Sequence, residues 1–296
     1  MSTLGFIVFV IIYLAIVQLV PYISTVGLDD FEYGTFPDVE TVVWALVVPV
    51  GASLVFVIAV ATWLGWWPQM LRDHRPVNKW VWFVPIVMVI AILAGTDYGS
   101  VFDTSVGFVV LFLLGTAMVG IAEETVFRGV GVTAFRANGY SEPRVALWTS
   151  VIFGLAHGTN VFVEGPSAFV QVLSTAIAGF FFYLVLRVTG SLIAGMALHA
   201  LWDAGLFTGL ITDDTYFGGL TFMLANVVLA VVLLIRRHHI EPWENGGPTN
   251  PDNLVLLCRT HHGHAHSTTW QLTRTPHGLW WTGPNGTRRP AEHHPT

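Results

Sequence analysis

The first apolar stretch of the chain, residues 4–23, reads LGFIVFVIIYLAIVQLVPYI and contains no charged side chain. A bilayer core about 30 Å thick requires roughly 20 consecutive apolar residues per helix, so this stretch predicts a membrane-spanning helix. No basic n-region precedes it, and Pro21-Tyr22-Ile23 offers no small-residue cleavage site. We therefore expect a retained helix rather than a cleaved signal peptide.

The rest of the chain continues in the same composition as far as residue 235. Hydrophobic residues make up 53% of the sequence and charged residues 11%, whereas a soluble domain carries about 25% charged residues. The predicted fold is all-α, a polytopic bundle of about eight transmembrane helices, of which those near residues 80 and 145 are short. The apolar stretches lie at residues 4–23, 41–66, 80–94, 106–122, 145–157, 168–186, 192–210 and 220–235.

The loops between these stretches alternate between basic and acidic composition. Lys and Arg are retained on the cytoplasmic side, so the alternation predicts a multi-pass protein of the cell membrane with both termini cytoplasmic. The basic loops contain Arg72, Arg75, Lys79, Arg136, Arg144, Arg187, Arg236 and Arg237. The acidic loops contain Asp29, Asp30, Glu32, Asp38, Glu40, Asp97, Asp103, Asp213 and Asp214.

A change of composition at Arg236 divides the chain into a membrane domain, residues 1–235, and a cytoplasmic tail, residues 236–296. The tail is polar and rich in His, Pro, Gly and Trp, and it has no apolar run long enough to span a bilayer. Cys258 is the only cysteine, so no intrachain disulfide is possible. The residues after Gly283 are predicted to be a disordered end.

Ionisable side chains inside membrane helices are costly and by default mark function. Here they are grouped in the fourth, fifth and seventh stretches, as Glu123, Glu124, Arg128, His157, His199 and Asp203. Glu124 and Arg128 are four residues apart and predict a structural ion pair on one helix face. Drawn from three helices, the group can hold and activate a water molecule. Taken singly, His157 also fits an interfacial residue, and His199 with Asp203 fits a hydrogen-bonded strut.

Three short patterns resemble the motifs of the CPBP intramembrane proteases, a family that includes the CAAX prenyl endopeptidases and bacterial relatives linked to bacteriocin immunity. The patterns are Glu123-Glu124-x-x-x-Arg128, Phe153-x-x-x-His157 and His199-x-x-x-Asp203. The resemblance covers a core of about residues 106–206, including the segment Gly190-Ser191-Leu192-Ile193-Ala194.

The resemblance implies roles for four residues. Glu123 and His157 would activate the attacking water, and His199 and Asp203 would stabilise the oxyanion or bind that water. Asp203 stands where the family often has Asn, and an ionised carboxylate cannot donate a hydrogen bond. Glu123, His157 and His199 are ligand types that zinc prefers, which makes zinc or another divalent metal a candidate cofactor.

The predicted function is therefore an intramembrane endopeptidase of the CAAX-protease-like type that acts on a membrane-associated peptide or protein. The alternative is a non-catalytic membrane adaptor or immunity protein built on the same bundle. A third hypothesis makes the tail the active part and the membrane domain its anchor.

The tail resembles the later part of an HNH nuclease domain of actinobacterial type, a ββα unit that holds one divalent metal. By this resemblance His238, His262 and His266 would be metal ligands, His239 the general base and Asn253 its orienter. The Cys-x-x-Cys that would pair with Cys258 in a structural zinc site is missing, so we expect an incomplete domain.

Two further features of the tail bear on nuclease activity. After Arg236 and Arg237 at its start, the tail has only four more basic residues, Arg259, Arg274, Arg288 and Arg289, so nucleic acid is not an expected partner. A metal site at His238 also requires residues 236–240 to leave the membrane as a strand. With no Pro or Gly before Glu241, continuation of the eighth helix through His239 is the alternative.

Overall fold

The computed structural model describes residues 1–26, 36, 38–75, 77–161, 165–211, 218–239, 254–256, 269–275 and 278–291. Within these ranges the membrane domain is helical. Its helices are α1 (Thr3–Ser24), α2 (Val39–Leu64), α3 (Trp67–Leu71), α4 (Lys79–Gly95), α5 (Tyr98–Phe102), α6 (Val106–Ala137), α7 (Glu142–Ala156), α8 (Ala168–Thr189), α9 (Leu192–Leu210) and α10 (Gly218–Arg236).

Every apolar stretch predicted from the sequence coincides with a helix, and the all-α membrane bundle is confirmed. Among the described residues, α1, α2, α6, α8 and α9 are long and apolar enough to cross a membrane, while α4 and the apolar part of α10 are shorter. The helix near residue 145, α7, is also short, at 15 residues. Large apolar side chains such as Leu4, Val55 and Phe169 are 70–73% exposed, as lipid-facing residues of a membrane bundle are.

Two glycines permit the close helix crossings that define the centre of the bundle. A Cβ atom on Gly120 of α6 would lie 2.6 Å from the Met196 carbonyl oxygen and 2.7 Å from the Ala200 nitrogen, both in α9. A Cβ atom on Gly154 of α7 would lie 2.5 Å from the Val172 carbonyl oxygen in α8. The first crossing holds α6 against α9, which carry the polar residues Glu123, Glu124, His199 and Asp203, and the second holds α7 against α8.

One end of the bundle is held by a network of ion pairs between loops and helix ends. Arg136, near the end of α6, contacts Glu142 through Nε and Asp73 through Nη2, both at 2.8 Å. Arg187, near the end of α8, contacts the same carboxylates at 2.9 Å and 3.2 Å. Tyr183 donates a hydrogen bond to Glu142 at 2.6 Å.

Glu142 is ionised by this network although it is largely buried. Burial raises the pKa of the Glu142 carboxyl, but hydrogen bonds from Arg136 and Tyr183 outweigh burial and lower the pKa to about 2. Arg75 also contacts Glu142, at 2.6 Å. Three of the loops predicted to be cytoplasmic, those of Arg75, Arg136 and Arg187, therefore meet at one end, and the side of the membrane they face stays a prediction.

The first strand of the tail follows the last membrane helix without a linker. Helix α10 ends at Arg236, and β1 (Arg237–His239) pairs antiparallel with β2 (Leu254–Leu256). His238 lies opposite Val255 in this pair. Continuation of the helix through His239, the alternative drawn from the sequence, is therefore wrong, because the backbone of these residues bonds to a partner strand instead.

A second sheet closes the tail. Strands β3 (Gln271–Thr275), β4 (Gly278–Thr282) and β5 (Arg288–Pro290) are antiparallel in that order. Leu272 and Trp281 form a small buried core against which Val255 of β2 packs. The prediction of a disordered end after Gly283 is wrong for residues 284–291, which turn through Gly286, at φ 73°, and return as β5; residues 292–296 lie outside the described residues.

Candidate active site

The site begins with a buried ion pair on α6. Glu124 and Arg128 have no exposed side-chain surface, and Glu124 Oε1 lies 3.0 Å from Arg128 Nη1. Arg128 also donates from Nη2 to the Gly179 carbonyl oxygen at 2.8 Å, and its guanidinium lies 4.3 Å from the Phe153 ring centroid. The segment Thr125–Gly131 is π-helical, a local widening that recurs at functional sites. The ion pair predicted from the spacing is present, and it is entirely buried.

His199 of α9 stands at the centre of three carboxylates. Its Nδ1 lies 3.0 Å from Glu124 Oε1 and is the donor in that hydrogen bond, since an ionised carboxylate only accepts. Its Nε2 lies 3.5 Å from Glu123 Oε2 and 3.5 Å from Asp203 Oδ2. The Phe182 ring stacks on the imidazole with centroids 4.2 Å apart. The ring is therefore fixed in both its plane and its orientation.

The three carboxylates differ in how accessible they are. The Glu123 side chain is 16% exposed, that of Asp203 11%, and that of Glu124 is fully buried. The sequence left Glu123 without a local partner on its own helix, and its partner is His199 of α9. Glu123 is thus the carboxylate that an entering molecule can reach most easily.

His157, the residue directly after α7, is linked to this cluster through a shared neighbour, the ring of Phe153. Its Nδ1 donates to the Phe153 carbonyl oxygen at 2.9 Å, so the neutral ring has a bare Nε2 that can accept a proton. The Phe153 ring lies 4.9 Å from the His157 ring and 5.9 Å from the His199 ring. The structure therefore brings Glu123, His199 and Asp203 into contact, and His157 and His199 both contact the Phe153 ring.

The predicted metal ligands of the membrane domain are Glu123, His157 and His199. Within the described ranges, no group of three or more His, Cys, Asp or Glu side chains is placed to hold a metal ion. The Nδ1 of His157 is bonded to the Phe153 carbonyl, and His199 is bonded through its own Nδ1 to Glu124. The predicted ligand set is therefore not assembled in this arrangement of the helices.

The cluster lies in a segment of the chain that matches a known protein family. Residues 105–205 match the family model of the Type II CAAX prenyl endopeptidase Rce1-like proteins. The chain contains a CAAX-protease-like core. This core is about a third of the chain, it includes Glu123, His157, His199 and Asp203, and it confirms the resemblance predicted from the three motifs. No curated protein and no solved structure shows a significant match to the chain.

A second family model, HNH endonuclease, matches residues 233–268 and confirms the resemblance predicted for the tail. The match begins at Leu233, inside α10, so the HNH-like segment starts in the last helix of the membrane domain and continues into β1. Of the predicted tail residues, Asn253, His262 and His266 lie outside the described residues, and for His238 and His239 only the strand position is described. The tail metal site thus stays a prediction.

Sequence reasoning missed two contacts in the CAAX-protease-like core. It assigned Glu124 to Arg128 alone, whereas Glu124 also holds His199, a residue 75 positions away. It also passed over Phe182, one of several aromatic residues in α8 that no spacing distinguishes from lipid-facing ones. Both contacts join different helices, and a single sequence carries no signal for them.

Proposed function

We propose that this protein is an intramembrane endopeptidase that hydrolyses a peptide bond of a membrane-associated substrate. The observation that carries the proposal is the contact of Glu123, His199 and Asp203 inside a bundle of membrane-length helices, within the CAAX-protease-like core. A soluble peptide has little access to such a site, so the substrate is a membrane-anchored peptide or protein.

In the proposed reaction Glu123 is the general base. Its carboxylate takes a proton from a water molecule as the water oxygen attacks the carbonyl carbon of the scissile bond. The carbonyl oxygen becomes an oxyanion, and the Nε2–H of a protonated His199 faces the same space. The carbon–nitrogen bond then breaks, and Glu123 returns its proton to the departing amine.

The remaining polar groups of the site position His199 or assist Glu123. Glu124 accepts from His199 Nδ1 at 3.0 Å and so leaves Nε2 directed at Glu123 and Asp203. Arg128 compensates the buried charge of Glu124. His157, with its bare Nε2, is proposed as a second acceptor for the proton of the water.

Isotope labelling tests the reaction type directly. Purified protein in lipid nanodiscs would be incubated with candidate membrane-anchored peptides in water enriched in oxygen-18, and the products analysed by mass spectrometry. Hydrolysis places one oxygen-18 atom in the new carboxylate. A protein that binds such peptides without cutting any of them would instead act as a membrane adaptor.

The orientation in the membrane is part of the proposal, with the ion-pair end of the bundle, the tail and both termini cytoplasmic. Cys258 is the only cysteine, so the native chain carries a single label site in the tail. A membrane-impermeant maleimide should label it in permeabilised cells and leave it unlabelled in intact cells. Labelling in intact cells would place the tail outside.

The HNH match, together with the β1–β2 pair that continues from α10, makes nuclease activity a second candidate to be tested. HNH domains act on phosphodiesters with a divalent metal that stabilises the leaving oxygen. The test is a DNA nicking assay on the full-length protein with added divalent metal, comparing wild type with His239→Ala. Because the tail has few basic residues to bind phosphate, we expect no cleavage, and nicking that disappears in His239→Ala would establish a bifunctional protein.

A further inference from the structure

A side-chain amide of α1 is hydrogen-bonded to the turn that carries His157. Gln18 lies within α1 and is half-buried, and its Nε2 donates to Thr159 Oγ1 at 2.9 Å. Thr159 belongs to the single 3₁₀ turn His157–Asn160 that follows α7. Gln18 lies outside residues 105–205, so the family match assigns it no role.

The hydroxyl of Thr159 extends this contact to the end of α7. Thr159 Oγ1 donates to the carbonyl oxygen of Ala156, the residue directly before His157, at 2.9 Å. The last carbonyls of a helix have no partner within the helix. A chain of two hydrogen bonds therefore runs from Gln18, through the hydroxyl of Thr159, to the backbone next to His157.

A second hydrogen bond holds the other end of the turn. Asn160 Nδ2 donates to Gln171 Oε1 of α8 at 2.8 Å, so the turn is bonded to α1 on one side and to α8 on the other. All four residues of the turn are half-buried, and packing constrains such residues less than those buried in the core. The position of the turn therefore depends on these two side-chain contacts.

The position of His157 matters more for a reaction than for stability. A general base has to be within hydrogen-bond reach of the proton that it accepts, and a misplacement of about 1 Å can cost about 100-fold in rate. Hydrogen bonds between membrane helices, by contrast, contribute on average only about 0.6 kcal/mol to stability. The bond of Gln18 to Thr159 thus has a small effect as a link between helices and a large one as a support for His157.

We propose that Gln18 is a positioning residue of the active site, which acts through Thr159 to hold His157 within reach of the attacking water. The inference rests on the proposed endopeptidase function, in which His157 accepts a proton of that water. Gln18 transfers no proton itself, and its amide stays bonded to Thr159 throughout the reaction. Helix α1 is then part of the catalytic unit, although the family match begins at residue 105.

The first arm of the test removes the amide and keeps the length of the side chain. With a membrane-anchored peptide that wild type cleaves in lipid nanodiscs, Gln18→Met should lower kcat about 10-fold while KM changes little. The matched control is Ser24→Ala, which removes another hydrogen bond between α1 and a different helix, from Ser24 Oγ to the Trp44 carbonyl oxygen of α2 at 2.6 Å. Its kcat should equal that of wild type. Wild-type kcat in Gln18→Met, or an equal loss in Ser24→Ala, would overturn the inference.

The second arm changes the other partner of the same bond. Thr159→Val replaces the hydroxyl by a methyl group and should lower kcat at least as much as Gln18→Met, whereas Thr159→Ser restores the hydroxyl and should recover most of the lost activity. The double variant Gln18→Met/Thr159→Val should be no slower than Thr159→Val alone, because both changes break one contact and their effects are not additive. Losses that multiply in the double variant, or a Thr159→Ser variant as slow as Thr159→Val, would overturn the role of Gln18.

The two proposals fail in different ways. Cleavage by wild type that is lost in Glu123→Gln, together with full activity in Gln18→Met, would leave the endopeptidase standing and remove Gln18 from it. Full activity in His157→Ala would also overturn the inference, because His157 would then have no role that depends on its position. A wild-type protein that cleaves no membrane-anchored peptide would overturn both proposals.

Discussion

The substitution Glu124→Gln probes the buried ion pair and has an effect that the structure allows us to estimate. Glu124 and Arg128 are fully buried and 3.0 Å apart, and breaking such a pair by removing one partner costs about 3–5 kcal/mol, because the other charge is left uncompensated. Arg128 retains the Gly179 carbonyl at 2.8 Å and the Phe153 ring at 4.3 Å. We therefore expect a loss at the lower end, about 3 kcal/mol in the free energy of unfolding.

The measurement is reversible unfolding in mixed micelles, with Glu123→Gln as the matched control one residue earlier. Glu123 is 16% exposed and contacts no arginine among the described ion pairs, so its loss should cost under about 1 kcal/mol. The double variant Glu124→Gln/Arg128→Met removes both charges and should recover most of the lost stability. If Glu124→Gln unfolded with the same free energy as wild type, the buried pair would not be a structural element of this fold.

Three further predictions concern packing, pH and the tail. Gly120→Ala should destabilise the α6–α9 crossing by about 1–3 kcal/mol and abolish cleavage. In the control Gly107→Ala the nearest atom to the new Cβ would be 4.0 Å away, so this variant should keep wild-type stability and activity. Unfolding and turnover are measured in parallel for both variants. The folded-state pKa of Glu142, about 2, lies below its ordinary value of 4.5, so the ionised carboxylate stabilises the fold above pH 4.5 and that contribution is lost as the pH falls from 4.5 to 2. Thermal unfolding should show Glu142→Gln less stable than wild type at pH 7, by about 1–3 kcal/mol, and the difference should be smaller at pH 3 and vanish below pH 2. The exposed control Glu40→Gln should match wild type at each pH. Trp281→Ala should unfold the tail sheet, at a cost of about 3–5 kcal/mol, and make it sensitive to limited proteolysis without changing membrane-site activity; a protease-resistant tail in this variant would contradict the small core seen at β3 and β4.

The helices of the membrane domain could be predicted because one physical requirement identifies them: a helix that spans a bilayer needs a long run of apolar residues. The tail could not, since its strands are short and their pairing is not local: β1 pairs across 14 intervening residues with β2. One feature of the sequence, however, argues against the disordered end that was predicted after Gly283. Asn285-Gly286 is a strong hairpin signal, and it marks the turn that returns Trp281 to pair with Arg289.

In the site, contacts within one helix could be predicted from the sequence, and contacts between helices could not. The spacing of His199 and Asp203 placed both on one face of a helix, and their contact at 3.5 Å follows from that geometry. The hydrogen bond of Glu124 to His199 and the stacking of Phe182 on His199 depend on how whole helices pack. Helical spacing constrains a single helix and says nothing about which helix will cross it.

The central claim, that Glu123 activates water in this bundle, is tested most directly by the single-turnover cleavage rate of Glu123→Gln relative to wild type. Loss of a general base lowers such a rate by about 10²–10⁴-fold. We therefore predict at least a 100-fold reduction, on a protein that unfolds within about 1 kcal/mol of wild type. A Glu123→Gln variant that cleaves within a factor of ten of the wild-type rate would contradict the account.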